Sequence, residues 1–357
     1  MKNLKRKIIS KLSSKNILNK KSANDKNPKS KENKIDSAHQ EIFSRSKYQI
    51  IDKINNHEYS SLNVAIKTPN PKNDHRWGDY FFAKALKKSF EKKGFNVVVH
   101  DHEDWYNTSI KYDINLVLRG LNEYETNEDE INLIWNISHP ELVTKEEYEK
   151  YDIAFISSLM YSDKLQNEID TVVKPLLQCT SPDVFYPEYD ESVESDVLFV
   201  GITRKVYRKI VKDVMETDFD VSVYGIGWEK FIDEKYIKGE FIPNEELHKY
   251  YSSCKILLND HWDEMREMDF PSNRLFDALA CGALIISDKI PSADSIFDGN
   301  VITYDGADDL NQKIDYYLNH EEERLKIANK GKEIVLKNHT FDNRVDFILS
   351  CLEDLKL

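Results

Sequence analysis

Along residues 62–178, short runs of apolar, β-branched residues alternate with segments whose apolar positions repeat at helical spacing. LNVAIK (62–67), FNVVVH (95–100), INLVLRG (114–120), INLIWN (131–136), DIAFIS (152–157) and VKPLLQ (173–178) read as strands buried on both faces. Between the first two, Tyr80, Phe81, Ala83, Ala85, Leu86 and Phe90 keep a helical period and stop at Gly94. Residues 179–196, CTSPDVFYPEYDESVESD, are rich in Pro, Asp, Glu and Ser and read as a linker. The alternation then resumes, with strands over 196–201, 219–225, 255–260 and 283–288. Helical patterns cover 204–216, 243–252, 272–281, 307–337 and 341–356. This predicts an α/β protein with two Rossmann-like domains whose parallel sheets face across a cleft. The expected division is a tail over 1–45, an N-terminal domain over 46–178, the linker 179–196, a C-terminal domain over 197–338, and a terminal helix over 339–357 packing back on the first domain.

Composition narrows the class. No apolar run approaches the ~20 residues needed to cross a bilayer, and the N-terminus lacks a signal-peptide core, so a cytoplasmic protein is expected. The net charge of −13 hides an asymmetry. Residues 1–34 hold 12 Lys or Arg against Asp25 and Glu32, whereas the rest carries 38 bases against 61 acids. An acidic body argues against a nucleic-acid partner. Residues 2–21 place Leu4, Ile8, Ile9 and Leu12 among lysines as a short amphipathic helix, either lying on an anionic membrane surface or simply solvated. Residues 22–40 are polar and core-free, which predicts disorder. Cys179, Cys254, Cys281 and Cys351 form no Cys-x-x-Cys pair and read as small buried residues, so no metal site is expected.

Open parallel sheets bind ligands beyond the carboxyl ends of their strands. In the first half those positions hold His75, Trp77, Gly78 and Asp79, then Arg119, then Trp135 and His139. Trp rings can stack on a sugar or base, and Arg119 can pair with an anion. Asp79 or His139 can take a proton from a hydroxyl, although a loop histidine is as readily a structural hydrogen-bonder. In the second half, Gly201 permits close backbone approach and Thr203 is placed to cap a helix carrying Arg204, Lys205 and Arg208, which is an anion site or an exposed basic face. Gly225 marks another strand-end turn. Ser272 is the expected N-cap of a helix that opens with Asn273 and Arg274 and stops at Gly282. Its free amides and Arg274 favour a phosphate. Asp277 can accept hydrogen bonds from ribose hydroxyls, or it merely complements the helix dipole. Asp269, eight residues earlier, can grip a second part of the same donor.

The segment LLNDHWDEMREMDFPSNRLFDALACGALIISD resembles the donor-binding segment of GT-B glycosyltransferases, specifically the CgeB-like (spore-maturation-type) group. VLFVGITRKVYRK and VYGIGWEKFI are similar to the preceding parts of that domain, and HRWGDYFFAKAL, LVLRGL and LIWNISHPE to the N-terminal half. The resemblance implies a nucleotide-sugar held mainly by the C-terminal domain and an acceptor held by the N-terminal one, generally without metal. Asp260 and Arg266 join the donor set on this basis. Asp269 and Asp277 keep the spacing of the Glu-x7-Glu pair of many retaining relatives, with side chains one methylene shorter.

The expectation is a metal-independent, cofactor-free glycosyltransferase of hexosyltransferase type. It would move a sugar from a nucleotide-sugar to a hydroxyl of a glycan, lipid-linked glycan or protein, in cell-surface polysaccharide or glycoconjugate synthesis. A nucleotide-sugar epimerase and a non-catalytic nucleotide-sugar-binding protein are the alternatives.

Overall fold

A computed structural model describes residues 46–356 apart from His75, Thr108 and Glu216. The expectations placed on the tail, helix 2–21 and disorder over 22–40, lie outside the described residues, as does the acceptor role given to His75.

The first sheet contains β1 (Asn63–Lys67), β2 (Asn96–His100), β3 (Ile114–Arg119), β4 (Ile131–Asn136), β5 (Ile153–Ile156) and β6 (Val172–Pro175), in the order β2-β1-β3-β4-β5-β6. The second contains β7 (Ser195–Val200), β8 (Val221–Tyr224), β9 (Ile237–Gly239), β10 (Cys254–Asn259), β11 (Leu284–Ser287) and β12 (Val301–Thr303), in the order β12-β11-β10-β7-β8-β9. Every pairing is parallel. All positions of β3, β4 and β5 are buried, which explains their unbroken apolar runs. The second order reverses direction between β7 and β10. That switch point is where an open sheet leaves a crevice at its strand ends.

Two predicted helices differ. Arg204 and Lys205 form a turn, and the helix begins only at Lys209 (Lys209–Val214). The long pattern 307–337 is two helices, Ala307–Asn319 and Glu321–Asn338, broken at His320. The strands β9 and β12 escaped the pattern reading because three residues each are too few to show a period.

The chain crosses between the lobes twice, side by side. Thr180 donates its amide to the His339 carbonyl at 3.0 Å, and the Phe341 amide donates to the Thr180 carbonyl at 3.2 Å. Arg344 clamps both crossings, donating to the carbonyls of Leu177 (2.7 Å), Gln178 (3.1 Å) and Asn338 (3.1 Å). Beyond the crossing, the Phe341–Glu353 helix lays Phe341, Val345, Ile348 and Leu352 into the core of the first lobe, against the Gly78–Lys92 helix. Each such side chain contributes roughly 1.5–3 kcal/mol by leaving water.

Candidate active site

The switch point of the second sheet is occupied by Arg274. Its guanidinium donates to the Asn259 Oδ1 at the end of β10 (2.8 Å) and to the Val200 carbonyl at the end of β7 (2.7 Å). The buried Tyr251 hydroxyl is a further hydrogen-bond partner, and the cation forms no ion pair with a carboxylate among the described residues. The Asn273–Ala280 helix that carries it is amphipathic, burying Leu275, Phe276, Ala278, Leu279 and Ala280. The expected N-cap is not made: Ser272 Oγ donates instead to Asn259 Oδ1 at 2.9 Å. The Ser272 amide is taken by His261 Nε2 at 3.0 Å, and His261 Nδ1 faces Asp288 at 2.6 Å. An Nδ1-protonated imidazole satisfies both contacts. The Asn273 and Arg274 amides have no acceptor among the described residues. An open helix end beside an unpaired guanidinium is a site for an anion.

Neighbouring loops are fixed by glycine. A Cβ on Gly225, at φ +146°, would lie 2.1 Å from the Gly201 carbonyl oxygen. A Cβ on Gly201 would meet the guanidiniums of Arg208 at 2.7 Å and Arg274 at 3.3 Å. The small size of both residues is therefore needed by the packing of the two loops. Arg204 and Lys205, both with left-handed backbones (φ 56° and 63°), follow in a turn rather than on a helix, so the helix-end site expected at Thr203 does not exist. Lys205 is exposed. Arg204 stacks 4.1 Å from the Trp262 ring centroid, and burial, with Arg208 and Arg274 nearby, pushes its pKa down to about 9. Arg208 is buried and engages both carboxylate oxygens of Asp260. Asp260 is consequently not free for a donor, which corrects its place in the donor set. Arg266 pairs with Asp263 at 2.9 Å, at a 360 Å³ cavity also lined by Arg204 and Trp262.

Asp277 lies one turn into the helix, 8% exposed. It accepts from Thr180 Oγ1 (2.7 Å) and Asn273 Nδ2 (2.6 Å). Burial raises its pKa to about 8, against those hydrogen bonds and Arg274. Asp277, Asn273 and Phe185 line a 270 Å³ cavity between the lobes, faced on the other side by Gly78, Phe81 and Phe341. Asp269 shares no hydrogen-bond partner with Asp277. It is 1% exposed, and its Oδ1 accepts from the Ser292 amide (2.9 Å) and hydroxyl (2.8 Å), which fixes the start of the Ala293–Phe297 helix. Of the two acids, Asp277 lines the interdomain cavity and Asp269 does not.

From the first lobe, Trp77 and Gly78 open the Gly78–Lys92 helix, and nothing lies within 4 Å of a Cβ placed on Gly78. Asp79 follows; burial holds its carboxyl above the usual range, opposed by its own amide and by His139. His139, left-handed at φ 52°, contacts Glu141 at 3.0 Å, and its ring lies 5.8 Å from that of Trp262. Asp79, His139, Trp262, Arg204 and Arg274 thus form a continuous path across the lobes. Arg119 and Trp135 do not join it. Arg119 is 2% exposed, with Nε and Nη2 on Glu147 (2.6 and 3.0 Å) and further donors on the Gly120 and Leu142 carbonyls. Trp135 is fully buried, donating to Ser157 Oγ (3.0 Å) and the Leu176 carbonyl (2.7 Å). Both are structural, because their strand positions point into the packed interior. The sequence reading passed over Asn259, Trp262 and Thr180. The strand-end rule reached Asn259, and no local signal marked the other two.

Residues 204–350 match a family model described as "Glycosyl transferase-like". Spore protein CgeB of Bacillus subtilis (strain 168) is 28% identical over 170 residues, covering 43% of this chain and 52% of that protein, so the match spans about half of the curated relative's length. Sucrose-phosphate synthase from Thermosynechococcus elongatus superposes with a TM-score of 0.62 at 11% identity, over 82% of this chain and 99% of the other. Anabaena Alr3699/HepE, solved with UDP-glucose, gives 0.59 at 10% identity, over 82% and 100%. T4 phage BGT, solved with UDP and Mn2+, gives 0.54 at 13% identity, over 83% and 100%. These likenesses establish the GT-B fold.

Proposed function

We propose that this chain, built on the GT-B fold and similar over its C-terminal half to glycosyltransferases, transfers a sugar from a nucleotide-sugar to an acceptor hydroxyl. The observation that carries the reading is the open end of the Asn273–Ala280 helix. Two amides without acceptors and the unpaired Arg274 converge there at the sheet's switch point. A diphosphate fits that charge, with Arg204 adding a second cation that has no carboxylate partner among the described residues. Asp277 takes the ribose hydroxyls, since its cavity adjoins the helix end.

In the reaction the bond between the anomeric carbon and the phosphate oxygen breaks, and the nucleoside diphosphate leaves with the electron pair. The acceptor oxygen bonds to that carbon and releases its proton. Arg274, Arg204 and the amides stabilise the charge that develops on the leaving group, and this works best where water is excluded. Asp79 and His139 stand on the acceptor side, to orient or deprotonate the hydroxyl. Acceptors of glycan or lipid-linked type in surface polysaccharide synthesis fit a basic N-terminal segment that meets an anionic membrane surface. Vesicle sedimentation with and without residues 1–34 tests that part.

The test of the function is a panel of UDP- and GDP-sugars incubated with and without a glycan acceptor, in EDTA or in Mn2+. Acceptor-dependent release of nucleoside diphosphate in EDTA supports a metal-independent transferase. Conversion of the donor alone identifies an epimerase, and donor binding without turnover identifies a binding protein.

A further inference from the structure

A second recess, of about 770 Å³, lies outside the interdomain cleft, and all its walls come from residues 67–130 of the first lobe. Its floor is built from polar groups that a core would normally exclude. Lys67, the last residue of β1, is 2% exposed. Its ammonium donates to the Trp105 carbonyl and sits 5.2 and 5.5 Å from the ring centroids of Tyr112 and Tyr124. Burial pushes its pKa down to about 8, against the pull of Glu130. Asn115, wholly buried, donates its amide to Glu130, and its Oδ1 is left with no partner among the described residues. Buried acceptors are almost always satisfied, so an orphan in the wall of a recess points to a ligand donor.

The rim is aromatic. Tyr106, 57% exposed, stacks on Tyr124 with ring centroids 5.2 Å apart and planes 5° apart. Tyr106 is held in place by the Glu125 amide, which donates to its hydroxyl at 3.0 Å. Tyr112 is fixed from behind by His100, 2.8 Å from its hydroxyl.

Charge selects the ligand class. Glu125, Glu128, Asp129 and Glu130 outnumber Lys67 and Lys111 among the lining residues, so an anion is repelled. The position over the Tyr112 and Tyr124 rings that would suit a cation is already filled by Lys67. What remains is a neutral ligand with an apolar face for the tyrosines and hydroxyls that both donate and accept. We propose that this recess is a second, non-catalytic site for a neutral saccharide, with a sugar ring against the Tyr106–Tyr124 stack and hydroxyls reaching Asn115, Glu130 and Lys67. It shares no residue with the interdomain site and stands independently of the transferase reading.

The test uses the full chain, alone and with UDP or GDP added in excess, so that a sugar bound in the recess is told apart from one competing for the interdomain cleft. Saturation-transfer NMR and calorimetry are run with neutral gluco-, galacto-, manno- and N-acetylglucosamine-tetrasaccharides, with tetramethylammonium and inorganic phosphate as the cation and anion arms. At least one tetrasaccharide should bind one to one, and Tyr106→Ala should weaken it about tenfold. Tyr189→Ala, at an exposed tyrosine outside the recess, should leave binding unchanged. The exposure of Tyr106 lets its variant fold. The proposal is overturned if no tetrasaccharide binds up to about 10 mM, if Tyr106→Ala binds as the wild type does, or if tetramethylammonium or phosphate occupies the recess in place of sugar.

Discussion

Replacing Asp277 by Asn tests how the donor helix is wired to the rest of the molecule. An aspartate whose pKa is raised from 3.8 to about 8 on folding holds a proton across that window that the unfolded chain has already lost. Stability therefore falls as pH rises through the window and levels off above about pH 8. The limiting slope for one such group is about 1.4 kcal/mol per pH unit. Between about pH 6 and about pH 8 the wild type should lose roughly 2 kcal/mol relative to Asp277→Asn, which carries a neutral side chain throughout. At about 2–4 °C per kcal/mol for a lobe of this size, the gap in unfolding midpoint should widen by roughly 4–8 °C. Melting curves of both proteins at the two pH values measure it, and groups common to both cancel. Parallel pH profiles would refute the reasoning. They would mean that Thr180 and Asn273 hold Asp277 ionised, and that the cost of its burial is smaller than the packing indicates.

Other substitutions separate structure from function. Gly225→Ala sets a methyl against the Gly201 carbonyl and should cost about 2–5 kcal/mol, lowering the midpoint by roughly 10 °C; a midpoint within a degree of wild type would show that the loops part easily. Arg119→Ala leaves Glu147 buried and uncompensated and should cost roughly 3–5 kcal/mol without changing nucleotide affinity. Weaker nucleotide or acceptor binding in a fully stable Arg119→Ala protein would return Arg119 to the site.

Much of the fold was legible because buried parallel strands are written as dense apolar runs. Nine of the ten longer strands lie within a residue or two of their expected places, as with INLIWN at β4, and β6 ends three residues early, at Pro175. The same density hid which way each side chain points. With every position of β3 and β4 buried, no alternation told that Arg119 and Trp135 face the interior. Helix 204–216 failed for a different reason. Its pattern was helical from Val206 on, but Arg204 and Lys205 hold left-handed backbones, which apolar spacing does not encode. Side chains that act across the lobes, Trp262 against His139 and Thr180 against Asp277, depend on contacts between segments distant in sequence. The open helix end itself was legible, since Asn273 and Arg274 follow a Pro-Ser start. Its occupant was not, and neither was the diversion of Ser272 to Asn259.

The central claim is that a diphosphate binds at that helix end against Arg274. Calorimetric titration of UDP and GDP into wild type and Arg274→Ala, at fixed salt, tests it most directly. Loss of one or two charge-assisted hydrogen bonds, about 1.5–3 kcal/mol each, should weaken the nucleotide that binds wild type by at least about tenfold, while the melting midpoint stays high enough to show a folded protein. Affinity within about twofold of wild type, or no binding of either nucleotide to the wild-type chain, would contradict the account.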